Sequence, residues 1–249
     1  MEWSDEGIVL SARKHGESSA IVTLLTRNHG VHAGLVRGGS GKRKRGDLQP
    51  GNAVAAQWRG RLAEHLGAYT VELNQAHAAL VLDSPDALAA LSAALGVVET
   101  SLPEHESHEQ IFEGLGILLR AIGGSEDWRS AYVKWELGLL GELGFGLDLS
   151  CCAATGEVEN LIYVSPKSGR AVSAAAGKPY IASMLPLPPF LLSEGRGGSI
   201  GDVSAGLTLT GYFLKRHIFG HLSGGRMPAS RQRFAERIWR QAKADNDDI

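Results

Sequence analysis

Cysteine is nearly absent from this chain: Cys151 and Cys152 are the only two in 249 residues, and they are adjacent. Neighbouring thiols make no disulfide framework, which excludes the small secreted scaffolds held together by bridges. No apolar run approaches the ~18–20 residues needed to cross a bilayer. The first residues, Met1-Glu2-Trp3-Ser4-Asp5-Glu6, are acidic where a secretory signal is basic and then apolar. The expectation is a cytoplasmic protein. Aromatic residues make up only 6% of the chain, so any surface that works by ring stacking has few residues to draw on.

Catalytic patterns are missing too. There is no Gly-x-Ser-x-Gly, no Cys/His pair at a recognisable spacing and no carboxylate cluster in an apolar strand. Gly41-Lys42 has Val36 where a phosphate-binding loop needs glycine and Arg43 where it needs Ser or Thr. His105, His108 and Glu109 are close in sequence, but His105 and His108 stand three residues apart and not at the i, i+4 spacing of a helical zinc site. An enzyme is not expected, and neither is a cofactor.

What the chain does have is charge in the wrong proportions for one uniform surface. Residues 1–75 carry ten Lys and Arg against seven Asp and Glu, residues 76–165 three against fourteen, and residues 166–249 twelve against six. The net charge of −2 hides a basic head, an acidic middle and a basic tail, and such asymmetry points to a charged partner for the basic parts. The densest stretch is Val36 to Gln49, VRGGSGKRKRGDLQ. Arg37, Lys42, Arg43, Lys44 and Arg45 sit on a glycine-rich backbone that resists regular structure, so a mobile cationic arm is expected. It suits a polyanion, and equally a solvated linker.

Around this arm the sequence alternates with period two. Ile8, Leu10 and Ala12 oppose Val9, Ser11 and Arg13. Ile21, Thr23 and Leu25 oppose Val22, Leu24 and Thr26. Val31, Ala33 and Leu35 begin a third strand, and 53–59 and 64–73 give two more. The turns between them are His15-Gly16-Glu17-Ser18 and Asn28-His29-Gly30. Five strands in about 70 residues, one face apolar, predict a small closed barrel of the OB-fold type. Trp58 shares a face with Val54 and Ala56 and is expected in its core, which leaves phosphate contacts as the main source of nucleic-acid affinity.

Helical period then takes over. Ser84, Pro85 and Asp86 start a helix with Leu88, Leu91, Leu95 and Val98 on one face. Ser107 and Gln110 form a capping box before Ile111, Leu115, Leu118 and Ile122, and Gly123-Gly124 stops that helix. Ser125 caps a third, with Trp128, Tyr132, Trp135 and Leu139 as core. The acidic residues are placed on outer faces. Residues 144–192 are irregular apart from a strand at 161–164. Two more helices are expected at 203–222 and 230–242, the second burying Phe234 and Ile238, with residues 245–249 frayed. Lys215, Arg216, Arg231 and Arg237, beside Phe213 or Phe234, could grip an acidic protein tail. A solvated amphipathic face is the plainer reading of those cations.

Several stretches together resemble the bacterial recombination mediator family RecO: Asp5-Glu6-Gly7-Ile8-Val9-Leu10, Thr26-Arg27-Asn28-His29-Gly30, the basic arm closing on Leu48-Gln49-Pro50-Gly51, residues 141–149, Tyr163-Val164-Ser165-Pro166 and Leu185-Pro186-Leu187-Pro188. The resemblance implies an α+β chain with an N-terminal five-stranded OB-fold barrel (1–77) and a mainly α-helical domain (78–249), the latter with an irregular zinc-finger-like insertion at 150–190. It implies a non-enzymatic protein of the nucleoid that binds single- and double-stranded DNA, anneals complementary strands and helps load RecA on DNA coated by single-strand-binding protein, alongside RecR. By motif position the DNA contacts are Arg37, Lys42, Arg43, Lys44 and Arg45, with Arg13 and Lys14. Zinc-bearing members of the family have four cysteines in the insertion. Here those positions read Cys152, Thr155, Ser173 and Ala176, and one thiolate cannot build a four-ligand structural site, so no zinc is expected. A basic adaptor for acidic protein tails, with nucleic acid incidental, is the second reading.

Overall fold

Five strands close on themselves in the order β1-β2-β3-β5-β4. They are β1 (Glu2–His15), β2 (Ser19–Thr26), β3 (Gly30–Val36), β4 (Ala53–Arg59) and β5 (Ala68–Gln75). The computed structural model describes residues 1–62, 65–124, 127–192, 197–221 and 225–247. Ser125, Glu64, Leu222 and residues 248–249, each named in an expectation above, lie outside that set. All strand pairs of the barrel are antiparallel except β3 with β5, which run parallel in the register Leu35–Ala68 and Val36–Tyr69.

The barrel is filled by Val9, Ala20, Val22, Leu24, Val36, Leu48, Val54, Ala56, Trp58, Tyr69 and Val71, the inward set that period-two alternation selects. Trp58 is fully buried, as expected. Alternation fails at Gly7–Leu10, where four successive residues are buried. There the outer face of β1 is covered by the helix α3 (Pro85–Ser101), and the Ser11 hydroxyl donates to Glu99 at 2.6 Å. Gly34 lets Tyr69 lie flat across β3: a Cβ at Gly34 would stand 2.3 Å from the Tyr69 ring.

The same compact unit holds the first helices. After α1 (Lys42–Asp47) and α2 (His77–Leu80) come α3 and α4 (Glu109–Gly124), which pack together. The Ser84 hydroxyl accepts from the Ala87 N–H at 3.3 Å and Pro85 opens α3. Leu88 is exposed, however, and Ala87, Ala90, Ala93 and Ala94 are buried with Leu91 and Leu95. A helix packed on two sides needs small residues on its second face, which a single-stripe pattern does not anticipate. α4 buries Ile111, Leu115, Leu118 and Ile122. It begins at Glu109, and the Ser107 hydroxyl donates to the Arg27 carbonyl at 3.0 Å. Compactness places 1–124 and 228–231 in one unit and 125–227 and 232–249 in another.

In the second unit α5 (Trp128–Glu142) buries Trp128, Tyr132, Trp135 and Leu139. It also buries Glu136, whose carboxylate accepts from the Thr210 hydroxyl at 2.5 Å. This corrects the placement of all acids on outer faces, because a carboxylate with hydrogen-bond partners can be held inside. The stretch read as irregular contains a small sheet of β6 (Leu161–Val164), β7 (Ala171–Ser173) and β8 (Leu185–Pro186), with the four-residue helix α6 (Ala174–Gly177) after β7. α7 (Ile200–Phe213) starts three residues before the expected 203, because Ser199 and Asp202 form a reciprocal capping box. It runs on into a π-helical turn, Leu214–Phe219. α8 (Ala229–Asp247) buries Phe234 and Ile238 and extends through residues 245–247, which the sequence left frayed.

Candidate nucleic-acid interface

Strand register gathers the basic residues at one end of the barrel. Lys14 pairs with Ala20 and Ala20 with Val36, so Arg37, the next residue, lies two strand spacings from Lys14, ~10 Å. Arg13 pairs with Ile21 beside it. The turn after β3 is stitched to the β1–β2 turn: the Ser40 N–H donates to the Ser18 carbonyl at 3.0 Å, and its hydroxyl to Glu17 at 3.3 Å. Gly38 stands at φ +68° in the turn, where a side chain is strained. Arg13, Lys14, Arg37, Lys42, Arg43 and Arg45 are all exposed.

The four consecutive cations are not a mobile arm, which corrects that expectation: Lys42–Asp47 is the helix α1. Its own sequence argues against it. Gly41 offers no side-chain cap, and Lys42 and Arg43 place positive charge at the positive end of the helix dipole. Tertiary contacts supply what is missing. The Lys44 ammonium donates to the Val71 carbonyl on β5 at 2.7 Å and lies 3.7 Å from Asp47. Leu48, directly after the helix, is buried in the barrel core. The Asn52 amide donates to the Gly46 and Asp47 carbonyls, both at 3.1 Å, and its oxygen accepts from the Ala78 N–H at 3.1 Å. α1 is therefore a plug at the end of the barrel. Lys44 faces the barrel, and Lys42, Arg43 and Arg45 face solvent.

The other end of the barrel has the opposite chemistry. Trp3 stacks between His29 (4.0 Å, 7°) and Trp58 (5.7 Å, 15°), and His32 and Tyr69 meet it edge-on. Burial, with Asp5 nearby, pushes the Tyr69 phenol up, keeping it protonated. Glu2, Asp5 and Glu6 lie along this end of β1, and Asp5 is held by His29 at 2.8 Å and by the Asn28 N–H at 2.8 Å. Arg27 bonds Glu6, Glu109 and Glu113 and covers the Phe112 ring at 4.9 Å. Hydrogen bonds to Glu6 and Glu113 raise the Arg27 guanidinium above its ordinary value, fixing its charge. The barrel's rings thus stack on one another among carboxylates, and its cations stand at the far end.

The residues proposed for an acidic tail fare differently. Arg231, Phe213 and Phe234 are buried, so they offer nothing to a surface groove. Arg216 donates to the Pro166 carbonyl and, at 3.4 Å, to the Tyr212 hydroxyl. Lys215 and Arg237 are exposed. The correction has a helical cause: Arg231 falls on the face of α8 that also carries Phe234 and Ile238.

At the zinc-finger-like positions, Cys152 and Ser173 come together. The Cys152 sulfur is buried and accepts from the Ser173 N–H at 3.3 Å. Burial pushes the thiol up, and hydrogen bonds from Ser173, Thr155 and Ala154 outweigh it, bringing it down to about 6. Among the described residues no group of three or more His, Cys, Asp or Glu side chains is placed to hold a metal ion, and none of the helices is long and apolar enough to cross a membrane. Sequence reasoning passed over Asn52, His77 and Trp239. Nothing in the local pattern around Asn52 marks an amide that caps one helix and begins another.

Two family models match this chain: Recombination protein O N terminal over residues 1–76, and Recombination protein O C terminal over residues 82–224. Curated relatives carry the name DNA repair protein RecO. The one from Rhodospirillum centenum is 52% identical over 239 residues, covering 95% of this chain and 94% of the relative. That from Rhodospirillum rubrum is 51% identical, covering 98% and 99%. A Caulobacter vibrioides relative is 48% identical, covering 98% and 99%.

Proposed function

This chain belongs to the RecO family and has a role in DNA repair and recombination, and from that premise we propose that it works as a non-enzymatic DNA-binding mediator whose barrel grips the sugar-phosphate backbone. The observation that carries this reading is the convergence at one barrel end of Arg13, Lys14 and Arg37 with Lys42, Arg43 and Arg45, the last three on a helix that Lys44 and Asn52 tie down. Cations without exposed rings beside them neutralise phosphates and do not read bases. Binding then has weak sequence preference and steep salt dependence.

In this proposal the protein anneals complementary strands and assists RecA loading on DNA covered by single-strand-binding protein, with RecR as a partner. It uses no metal: the positions that would hold zinc carry one thiol, two hydroxyls and a methyl group. Annealing of fluorescent complementary oligonucleotides, with and without single-strand-binding protein, tests the reading. Acceleration of annealing in both conditions is the expected result, and binding without any acceleration would reduce the protein to a passive binder. Elemental mass spectrometry of the purified protein is expected to find no stoichiometric zinc.

A further inference from the structure

Five tryptophans occur in the chain, and four are spent on packing. Trp58, Trp128 and Trp135 are buried, and Trp3 lies stacked between His29 and Trp58. Trp239, on α8, is 57% exposed. Its surroundings are cationic. The Lys243 ammonium lies 5.9 Å from the ring centroid, and Arg233, Arg237 and Arg240 are exposed on the same outward half of the helix. Glu236, 3.9 Å from Arg240, is the acid among them. The opposite half, with Phe234, Ile238 and Ala242, is buried. This helix lies beyond the last residue matched by either family model, residue 224.

From this arrangement we infer that the outward face of α8 is a second contact for single-stranded nucleic acid, with Trp239 as a stacking platform and Arg233, Arg240 and Lys243 as phosphate contacts. The inference rests on the DNA-binding reading above and deepens it. A large exposed indole is costly to leave in water and carries a flat π-face that any base can cover. The cations around it recur at three- and four-residue steps, so they form a stripe along ~15 Å of helix. A single strand presents both a free base and a row of phosphates. A duplex hides its base faces, and an acidic peptide answers the charge without the flat partner. The barrel's exposed cations lack such a ring, so the two surfaces divide the work: charge on the barrel, stacking on α8. Two separate grips on one chain also match a protein that brings two strands together.

The test uses the full chain and a labelled oligothymidylate, titrated at several salt concentrations, with Trp239→Ala, Trp239→Phe, Arg240→Ala/Lys243→Ala and Lys42→Ala/Arg43→Ala/Arg45→Ala in parallel. Trp239→Ala is expected to weaken binding about tenfold with the salt slope unchanged, because a stacked base is lost and no phosphate contact is. Trp239→Phe should recover most of that loss, which a misfolded variant would not. Arg240→Ala/Lys243→Ala should make the slope shallower by ~1.4, at ~0.7 per contact. Tryptophan emission of the unmodified chain should be quenched by the oligomer, and that quench should largely vanish in Trp239→Ala. If Trp239→Ala binds as tightly as the unmodified chain while the α1 triple variant weakens, the α8 inference is overturned and the DNA-binding reading stands. If the unmodified chain does not bind the oligomer, both fall. If Trp239→Ala instead loses affinity only for an acidic peptide, the face is a peptide dock and the inference is likewise overturned.

Discussion

The ammonium of Lys44 donates to the main-chain carbonyl of Val71 at 2.7 Å, and this bond divides four identical-looking cations into one strut and three contacts. Lys42, Arg43 and Arg45 remain in solvent with Arg37. Their separation is measurable. If Arg37, Lys42, Arg43 and Arg45 each neutralise one phosphate of a single strand, log K against log salt has a slope of roughly −3. Alanine at Lys42, Arg43 or Arg45 should each make it shallower by ~0.7. Alanine at Lys44 should leave the slope nearly unchanged and lower stability instead, read by denaturant unfolding.

Asn52 is the second device holding α1 in place. Asn52→Ala removes the donors to the Gly46 and Asp47 carbonyls and the acceptor for the Ala78 N–H, all beside a 2% exposed side chain. Buried groups left without partners cost ~1–3 kcal/mol. Chemical denaturation should show that loss, and single-strand affinity should fall as well, although Asn52 faces no ligand. Asn52→Asp should be worse, since a carboxylate would then face two carbonyl oxygens.

Gly34 tests the closure of the barrel. Its missing Cβ leaves room for the Tyr69 ring, which is 4% exposed and donates its hydroxyl to the His32 carbonyl at 3.3 Å. Gly34→Ala should destabilise the protein by ~1–3 kcal/mol, the usual cost of overpacking a core. Gly16, with nothing near its Cβ position, is no control because its φ is +61°. Gly124, helical and open, is the better one: Gly124→Ala should be close to neutral or slightly stabilising.

His77 gives the structure a pH dependence. It is 3% exposed, and burial together with the positive charge of Arg120 holds its imidazole below the ordinary value. The folded state therefore keeps His77 neutral while the unfolded chain takes up a proton near pH 6.5. Stability from this residue is full above pH ~6.5 and declines as pH falls from there toward the lowered value. Melting curves from pH 7.5 to 5 should fall less steeply for His77→Leu than for the unmodified protein.

The barrel was legible because its strands carry the plainest of signals. Val22 and Leu24 alternate with Ile21 and Thr23, and Val54, Ala56 and Trp58 with Ala53, Ala55 and Gln57; a half-buried sheet enforces that period. The aromatic core of α5 was legible for the same reason at helical period. The candidate interface was legible only in part. Composition located the cations and could not say which way each one points. Glycines around Lys42–Arg45 argued for a loose arm, and local propensity lost to packing and hydrogen bonds from Val71, Asn52 and the barrel core around Leu48. On α8 the same limit worked in reverse. Arg231 looked as available as Arg233, and Trp239 drew no notice, because helix phase relative to the core decides which is covered.

By itself, then, the sequence determined where the barrel strands and the longer helices lie, where positive charge accumulates and which family the chain resembles. These follow from local periodicity, charge count and short motifs. Only the tertiary structure decided that Lys44 is a strut, that Arg231 is buried and that Trp239 faces solvent. Those outcomes depend on contacts between residues far apart in the chain, such as the 27 positions between Lys44 and Val71, and no local pattern encodes the direction in which a long side chain finds its partner.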